Sequence, residues 1–386
     1  MTTAIYAFSG DPITYGHINI IERAVRVFGR VIVAIGENPA KTYTFNLAER
    51  ENMARKCFSN SAGMPHPHIK VLSFSNLLID FAYEQGADVI VKGVRNSADF
   101  DYENILHIVG KSQKVGIDTH ILFADPELAH ISSSAVKEIA KHNGDISEYV
   151  PLHVKQAIEQ RVYKHSGQTI IGITGEIGSG KSYIGGVLSN YRHAVGGYTH
   201  VHNIELDNIG HDILCKLTEP AYVKVREEIR DRVNSFVLGS DGFINKEMLG
   251  SIVFNEPKKL KILNEILTKP IMVRLRQELL GKHDVIFVNC ALLAEAGMLH
   301  VCNNNVLLVK VDRDTQKERL TKRGLTEEQI ETRLNCQYTQ EDKKIDIQNS
   351  IDAHGHGNLW EIDNSNDIST EDIYAKFEEI TNEIMS

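Results

Sequence analysis

Residues Gly175 to Ser182 read G-E-I-G-S-G-K-S and follow directly on the apolar run Ile170–Ile173. The spacing G-x-x-x-x-G-K-[ST] in that setting dictates a local geometry. A buried strand over Thr169–Thr174 ends in a glycine-rich turn, and a helix starts near Lys181. The glycines let backbone N–H groups wrap an anionic phosphate with no Cβ in the way. The helix N-terminus adds partial positive charge. In such a P-loop Lys181 reaches the β- and γ-phosphates, and the Ser182 hydroxyl is the candidate Mg²⁺ ligand. Gly175, Gly178, Ser179, Gly180, Lys181, Ser182 and Tyr183 are therefore the ATP-binding candidates of this segment. The motif begins in the middle of a chain of 386 residues. Nearly half the chain precedes it and needs its own explanation.

That length suggests two or three domains. A hydrophobic content of 42% and a charged content of 24% give ample material for a core. The net charge of −9 argues against a nucleic-acid surface, which needs a basic stripe. Small anionic substrates remain compatible, because local lysines outweigh a global sign. Cys57, Cys215, Cys290, Cys302 and Cys336 form no C-x-x-C pair, so reduced thiols are expected. The first residues lack the basic start and long apolar stretch of a signal peptide. No apolar run reaches the roughly 18 residues of a membrane span. A cytoplasmic protein with no membrane partner is the expectation.

Strand-like and helix-like segments alternate. Ala4–Phe8, Val31–Ile35, Ile69–Phe74, Asp88–Val91 and Ile121–Ala124 read as strands. Ile18–Phe28, Leu77–Gln85 and Ser134–Lys141 read as helices. This pattern predicts crossover units and a parallel sheet. Pro151 opens a further amphipathic helix toward Tyr163, and His165-Ser166-Gly167-Gln168 reads as a short linker. The expected division is residues 1–164 and 165–386. In the second part Val285–Val288 and Val306–Val311 read as strands. Thr326-Glu327-Glu328-Gln329 is a capping box for a helix running toward Gln337. The fold class predicted is α/β, with two parallel-sheet domains.

Ser9-Gly10-Asp11-Pro12-Ile13-Thr14-Tyr15-Gly16-His17 follows the first strand, where open α/β sheets bind ligands. His17 near a helix start can offer a neutral imidazole N–H to a charge-rich transition state at phosphorus. Taken singly, His17 also reads as a helix-cap or core histidine, and Ser132–Ser134 as a helix N-cap. Lys41 and Lys92 singly read as solvated. They occur together with other points in order: Phe45-x-Leu47-x-x-Arg50, Lys92-Gly93-Val94-Arg95, Asp99-Phe100-x-Tyr102-Glu103, Ile131-Ser132-Ser133-Ser134-x-Val136-Lys137-Glu138, and Gly144-Asp145 before Val150-Pro151.

This series resembles the nucleotidylyltransferases, and among them the phosphopantetheine adenylyltransferases, over about residues 4–160. The resemblance implies a Rossmann-like parallel sheet. It implies that His17, Lys41 and Arg95 are catalytic, and that Ser9, Gly10, His17, Gly93, Val94, Arg95, Glu103, Ser132, Ser133 and Ser134 hold ATP. Ser9, Lys41, Leu78 and Lys92 would then face 4′-phosphopantetheine. Gly10 stands where the family carries an aromatic residue. Lys92 stands where arginine is common, which keeps the charge and loses the bidentate fork.

In the second half Asp207-Asn208-Ile209-Gly210 is a D-x-x-G string, but no N-K-x-D follows, since Asn245-Lys246-Glu247-Met248 lacks the aspartate. A GTPase is therefore disfavoured. Arg319 and Arg323, with Arg333 beyond, suit a helical lid that closes on transferring phosphates. Glu205-x-Asp207 sits at an expected strand tip, where a carboxylate can accept a hydroxyl proton. Together with Leu292-Leu293-x-Glu295, Gln316-x-x-Arg319-Leu320 and Arg333-x-x-x-Gln337, these segments resemble the dephospho-coenzyme A kinases over about residues 169–380. The resemblance implies a P-loop kinase with Lys181 and Asp207 catalytic, and with Arg319 and Arg323 on ATP. Glu205 stays an alternative base. Glu205, Lys269 and Ala291 depart from the family pattern. An ATP-binding regulatory module that does not turn over is the alternative for this half, and a different acceptor, such as nicotinate mononucleotide, is the alternative for the first.

Jointly the halves resemble the bifunctional coenzyme A synthases. The implied ligands are ATP, 4′-phosphopantetheine, dephospho-coenzyme A and coenzyme A, with Mg²⁺ as the ion. The isolated adenylyltransferase family often forms hexamers, so a homo-oligomer is compatible with the sequence. Domain orientation and feedback by coenzyme A stay open.

Overall fold

The computed structural model describes residues 2–38, 41–60, 63–162, 167–192 and 200–385. His165 and Ser166 of the expected linker lie outside them. The chain divides into two compact units, Met1–Val162 and Tyr163–Ser386.

The first unit holds one parallel sheet: β1 (Thr2–Phe8), β2 (Gly29–Gly36), β3 (Ile69–Phe74), β4 (Val89–Val94) and β5 (Asp118–Phe123), in the order β3-β2-β1-β4-β5. The two-residue period of each strand sorts its side chains onto two cores. Tyr6, Val31, Val33, Ile35, Val89 and Val91 face one side, while Ile5, Ala7, Ile32, Ala34 and Ile90 face the other. The chain moves outward from β1 to β2 and β3, then returns to β4 on the opposite flank. That reversal leaves a crevice beyond the carboxyl ends of β1 and β4, the place where such sheets bind ligands.

The second unit repeats the plan with β6 (Gln168–Thr174), β7 (Val201–Glu205), β8 (Asp284–Asn289), β9 (Asn305–Lys310) and β10 (Asn358–Asp363), in the order β10-β9-β6-β8-β7. Every residue of β6 is buried, as a central strand covered on both faces requires. Here the cavity lies beyond the carboxyl ends of β6, β8 and β7.

Two elements differ from expectation. Gln168, read as linker, is the first residue of β6; its side-chain amide donates to the carbonyls of Leu279 and Lys282. A buried glutamine with two acceptors belongs in a strand as readily as a valine does. The helix Ser97–Ser112 was not anticipated. None of its residues is buried, and Ile105, Ile108 and Val109 are exposed, so no apolar stripe marks it as packed. The capping box at Thr326 forms as expected, and its helix runs Glu327–Asn335. That helix packs Ile330 and Leu334 on Leu320, with Ile177 of the P-loop against them.

No helix among the described residues is long and apolar enough to cross a membrane. Among the described residues no disulfide joins the cysteines.

Candidate active sites

A cavity of about 650 Å³ opens at the carboxyl ends of β1 and β4. Ser9, Gly10, His17, Lys41, Leu78, Lys92, Gly93, Arg95, Glu103 and Ser132–Ser134 all line it. Val94 does not; it is buried in the sheet. Residues from Ser9 to Ser134 thus share one cleft because two strand tips and two helix starts meet there.

His17 occupies the first turn of the helix Tyr15–Phe28. Its Nδ1 accepts the Thr14 backbone N–H at 3.1 Å and lies 2.9 Å from the Thr14 hydroxyl. A backbone amide cannot accept, so Nδ1 is the acceptor and the neutral ring carries its proton on Nε2. The ring stacks on Phe8, with centroids 4.5 Å apart. Burial, and then the Arg95 charge, lower the imidazole pKa to about 4. At pH 7 the group is a neutral hydrogen-bond donor.

Two of the cations around it are held by acids. Arg95 grips Asp99 through Nε at 2.7 Å and Nη2 at 3.1 Å, and Nη1 donates to the Ile131 carbonyl. The hydrogen bond to Asp99 raises the Arg95 pKa, and the same contact lowers that of Asp99. Lys92, nearly buried, pairs with Glu103 at 3.0 Å. Lys41 is exposed at the cavity mouth. Ser132 is the N-cap of Ser133–Lys141, its hydroxyl accepting from the Ala135 amide at 3.1 Å, and the Ser133 hydroxyl donates to the Pro12 carbonyl. The capping reading and the cleft reading of this run are both realised.

A second cavity, also about 650 Å³, lies beside the P-loop. Gly178, Gly180, Lys181, Ser182, Asp207 and Arg323 line it. Glycine is required in the loop for two reasons. Gly180 has φ +90°, and a Cβ there would sit 2.1 Å from the Asn364 side-chain nitrogen; Gly175, at φ +150°, would drive one to 2.4 Å from the Val309 carbonyl. The ammonium of Lys181 donates to the carbonyls of Gly175 and Glu176 at 3.1 and 3.0 Å. Burial lowers its pKa to about 8 against the opposing pull of Asp207. Asp207 lies in the first turn of the helix Leu206–Cys215 just beyond β7; burial raises its pKa, Lys181 pulls it down, and Glu205 raises it. Glu205 itself does not line the cavity; it accepts from the side-chain amides of Asn203 and Asn208.

Gly175, Ser179, Tyr183 and Arg319 are not part of the cavity wall. Tyr183 is exposed on the helix Lys181–Ser189. Arg319 braces the loop instead: Nη2 donates to the Asn364 carbonyl at 2.7 Å and to Asp367 at 2.9 Å, and Nη1 approaches the carbonyls of Gly178 and Ser179 at 3.5 and 3.4 Å. Arg333 stacks on Phe254, 5.2 Å from its ring centre.

Comparison with known proteins assigns the two halves. Residues 9–139 match the family described as cytidylyltransferase-like, and residues 169–356 match the family described as dephospho-CoA kinase. A phosphopantetheine adenylyltransferase from Alkaliphilus metalliredigens is 42% identical over 161 residues, which is 42% of this chain and 99% of that protein. Another, from Clostridium perfringens, is 37% identical over 168 residues, 44% of this chain and 99% of its own length. The chain belongs to the phosphopantetheine adenylyltransferase family. A solved dephospho-CoA kinase from Campylobacter jejuni overlaps 56% of this chain and 96% of its own, at 21% identity and a TM-score of 0.32. Both families are enzymes. An adenylyltransferase domain followed by a dephospho-CoA kinase domain indicates the last two steps of coenzyme A biosynthesis.

Several residues that the motifs contain, but to which spacing assigns no role, hold the adenylyltransferase cleft together. Asp11 is buried and accepts the amides of Thr44 and Phe45 and the Lys137 ammonium at 2.7 Å, so it ties the turn after β1 to two distant segments. Arg50 is fully buried, donates to the carbonyls of Ser9 and Gly36, and lies 4.0 Å from the Tyr43 ring centre. In the kinase unit Glu176 is buried, accepting from the Gln316 side chain and the Gln340 amide, both at 2.8 Å. Val253, Phe254, Leu260, Leu263 and Leu292 form an apolar wall opposite the P-loop. The departures noted above differ in position: Glu205 and Lys269 do not line the cavity, and Ala291 does. Lys269 is exposed and follows Thr268, which does line the cavity, and Ala291 presents its carbonyl to the buried Lys343 ammonium at 2.7 Å.

Proposed function

We propose that the first cleft transfers the adenylyl group of ATP to the phosphate of 4′-phosphopantetheine, releasing pyrophosphate, and that the second cleft phosphorylates the ribose 3′-hydroxyl of the resulting dephospho-coenzyme A. The observation that carries the first assignment is the Thr14 amide bonded to His17 Nδ1 in a cleft lined by Lys41, Lys92, Arg95 and Lys137. The bond leaves Nε2–H to donate to oxygens on phosphorus as charge builds there. Because the donor is neutral and preset by the helix start, no proton has to move. Ser9, Gly10, Gly93 and the start of Ser133–Lys141 supply the amides and hydroxyls for ATP. Leu78 and Lys92 form the acceptor side.

In the second cleft Lys181 leaves two carbonyls for the β- and γ-phosphates. Asp207 accepts the hydroxyl proton; its raised pKa suits it to that role better than a solvated carboxylate. Arg323, on the cavity wall, is the arginine placed to meet the transferring group. The apolar wall fits the pantetheine arm. Mg²⁺ would be held by the exposed Ser182 hydroxyl in the cavity together with ATP oxygens, and its charge would neutralise the polyphosphate. The exposed apolar side chains of Ser97–Ser112 support self-association, which light scattering of wild type and Ile105→Asp would test.

The deciding experiment incubates the purified chain with 4′-phosphopantetheine, ATP and Mg²⁺ and resolves products by mass. Dephospho-coenzyme A followed by coenzyme A is expected. Coenzyme A absent while dephospho-coenzyme A accumulates would remove the kinase assignment. No product at all, with nicotinate mononucleotide accepted instead, would remove the first.

A further inference from the structure

A group of imidazoles sits at the end of the second sheet opposite the P-loop. The P-loop follows the carboxyl end of β6, whereas Asp284 opens β8 in register with Gln168, the first residue of β6. The separation is roughly 20 Å along the strands, at about 3.3 Å per residue. His200 and His202 share a face through the two-residue period of the extended chain, with ring centres 6.5 Å apart and planes 8° from parallel. His283 meets both edge-on, at 4.7 Å from His200 and 6.2 Å from His202.

Asp284 is buried and aims one oxygen, Oδ2, into this corner. That oxygen already accepts the His200 backbone N–H at 2.9 Å. His200 Nδ1 lies 3.2 Å from it and His283 Nδ1 3.6 Å from it. One ligand atom from each of His200, His283 and Asp284 falls within 4.8 Å of the other two. The buried His283 Nδ1 has no hydrogen-bond partner among the described residues, and neither does the buried His202 Nε2. Two orphan imidazole nitrogens in one corner carry a desolvation cost that a protein ligand set does not satisfy.

We propose that His200, His283 and Asp284 form a binding site for a first-row divalent transition metal such as zinc, with His202 or water completing the coordination. Two donor separations, 3.2 and 3.6 Å, bracket the edge of about 3.4 Å that a tetrahedron with bonds of about 2.1 Å requires, and the third, between the two imidazole nitrogens, is within 4.8 Å. Two imidazoles and one carboxylate select zinc, cobalt or nickel over Mg²⁺, which prefers oxygen ligands. The site is separate from the nucleotide cleft and joins the start of β7, an edge strand, to the turn before β8. It would therefore clamp the strand that leads to Asp207.

The test uses the full untagged chain in excess Mg²⁺, titrated with Co²⁺ and compared with His283→Ala and His200→Ala. Both histidines are partly exposed, so the variants should fold, which circular dichroism checks. The wild type should bind one more Co²⁺ per chain than either variant, with the visible absorption of a four- or five-coordinate ion. Zn²⁺ at about a hundredfold excess over Kd should raise its Tm by about 5 °C and leave the variants unmoved. Equal stoichiometry and equal Tm shifts in wild type and both variants would overturn the site.

Discussion

In the first cleft the inward-facing cations Lys92, Arg95 and Lys137 each rest on a carboxylate, whereas in the second Lys181 rests on the carbonyls of Gly175 and Glu176. The two groups proposed as catalytic also differ in charge: His17 is kept neutral by burial, and Lys181 stays largely charged at pH 7. A phosphate entering the first cleft competes with fixed acids, so its specificity comes from geometry. In the second, Lys181 is hydrogen-bonded to loop carbonyls, and the acid that acts on it, Asp207, does so through its charge. One cleft is built from long-range side-chain pairs and the other from a local backbone path.

The largest effects should separate the two. His17→Ala should lower adenylyl transfer by about 10³-fold, as expected for losing a transition-state donor, and leave phosphorylation of supplied dephospho-coenzyme A intact. Lys181→Ala should do the reverse by a similar factor. Loss of both activities in either folded variant, read by pyrophosphate release and ADP formation, would dissolve the distinction. Gly180→Ala comes next. Its Cβ would collide with the Asn364 amide in a backbone region that disfavours alanine. It should destabilise the second unit by about 2–4 kcal/mol and cost that activity alone, as thermal melts and separate assays would show.

A pH series gives a smaller effect, and in the second cleft alone. Between pH 5 and 8 His17 stays neutral, so its contribution does not change. Lys181 loses its proton as pH rises through about 8. ATP favours the charged form, so binding in the second cleft should weaken above that pH with proton uptake, measurable by calorimetry in buffers of different ionisation heat. Asp99→Asn should have the smallest effect. It frees Arg95 for phosphate and should lower the ATP KM of the first reaction about threefold, provided competition with the acid limits binding. An unchanged or higher KM would show that Asp99 instead holds Arg95 in its working position.

How much of this the sequence revealed follows the same division. The P-loop was legible because glycine at fixed spacing reports backbone geometry that neighbours alone determine. His17 and Thr14 were legible for the same reason, being a helix start. Arg50 on the carbonyls of Ser9 and Gly36, and Lys137 on Asp11, join residues 14 to 126 positions apart. No local period records such meetings. Arg319 is expected on the phosphates because arginine near a P-loop suits them; its Nη2 is engaged by the Asn364 carbonyl and Asp367, partners that no local spacing announces. The helix Ser97–Ser112 went unread because its apolar residues point outward.

Glu176 holds the second position of the octapeptide, where the pattern accepts any residue. In the folded chain its carboxylate is moored to two helices through Gln316 and Gln340. Grafting an octapeptide from another ATP-binding protein would thus preserve every residue the pattern names and cut the loop adrift from its surroundings. Interchangeability at that position is a property of the alphabet used to describe such loops, and this molecule does not share it.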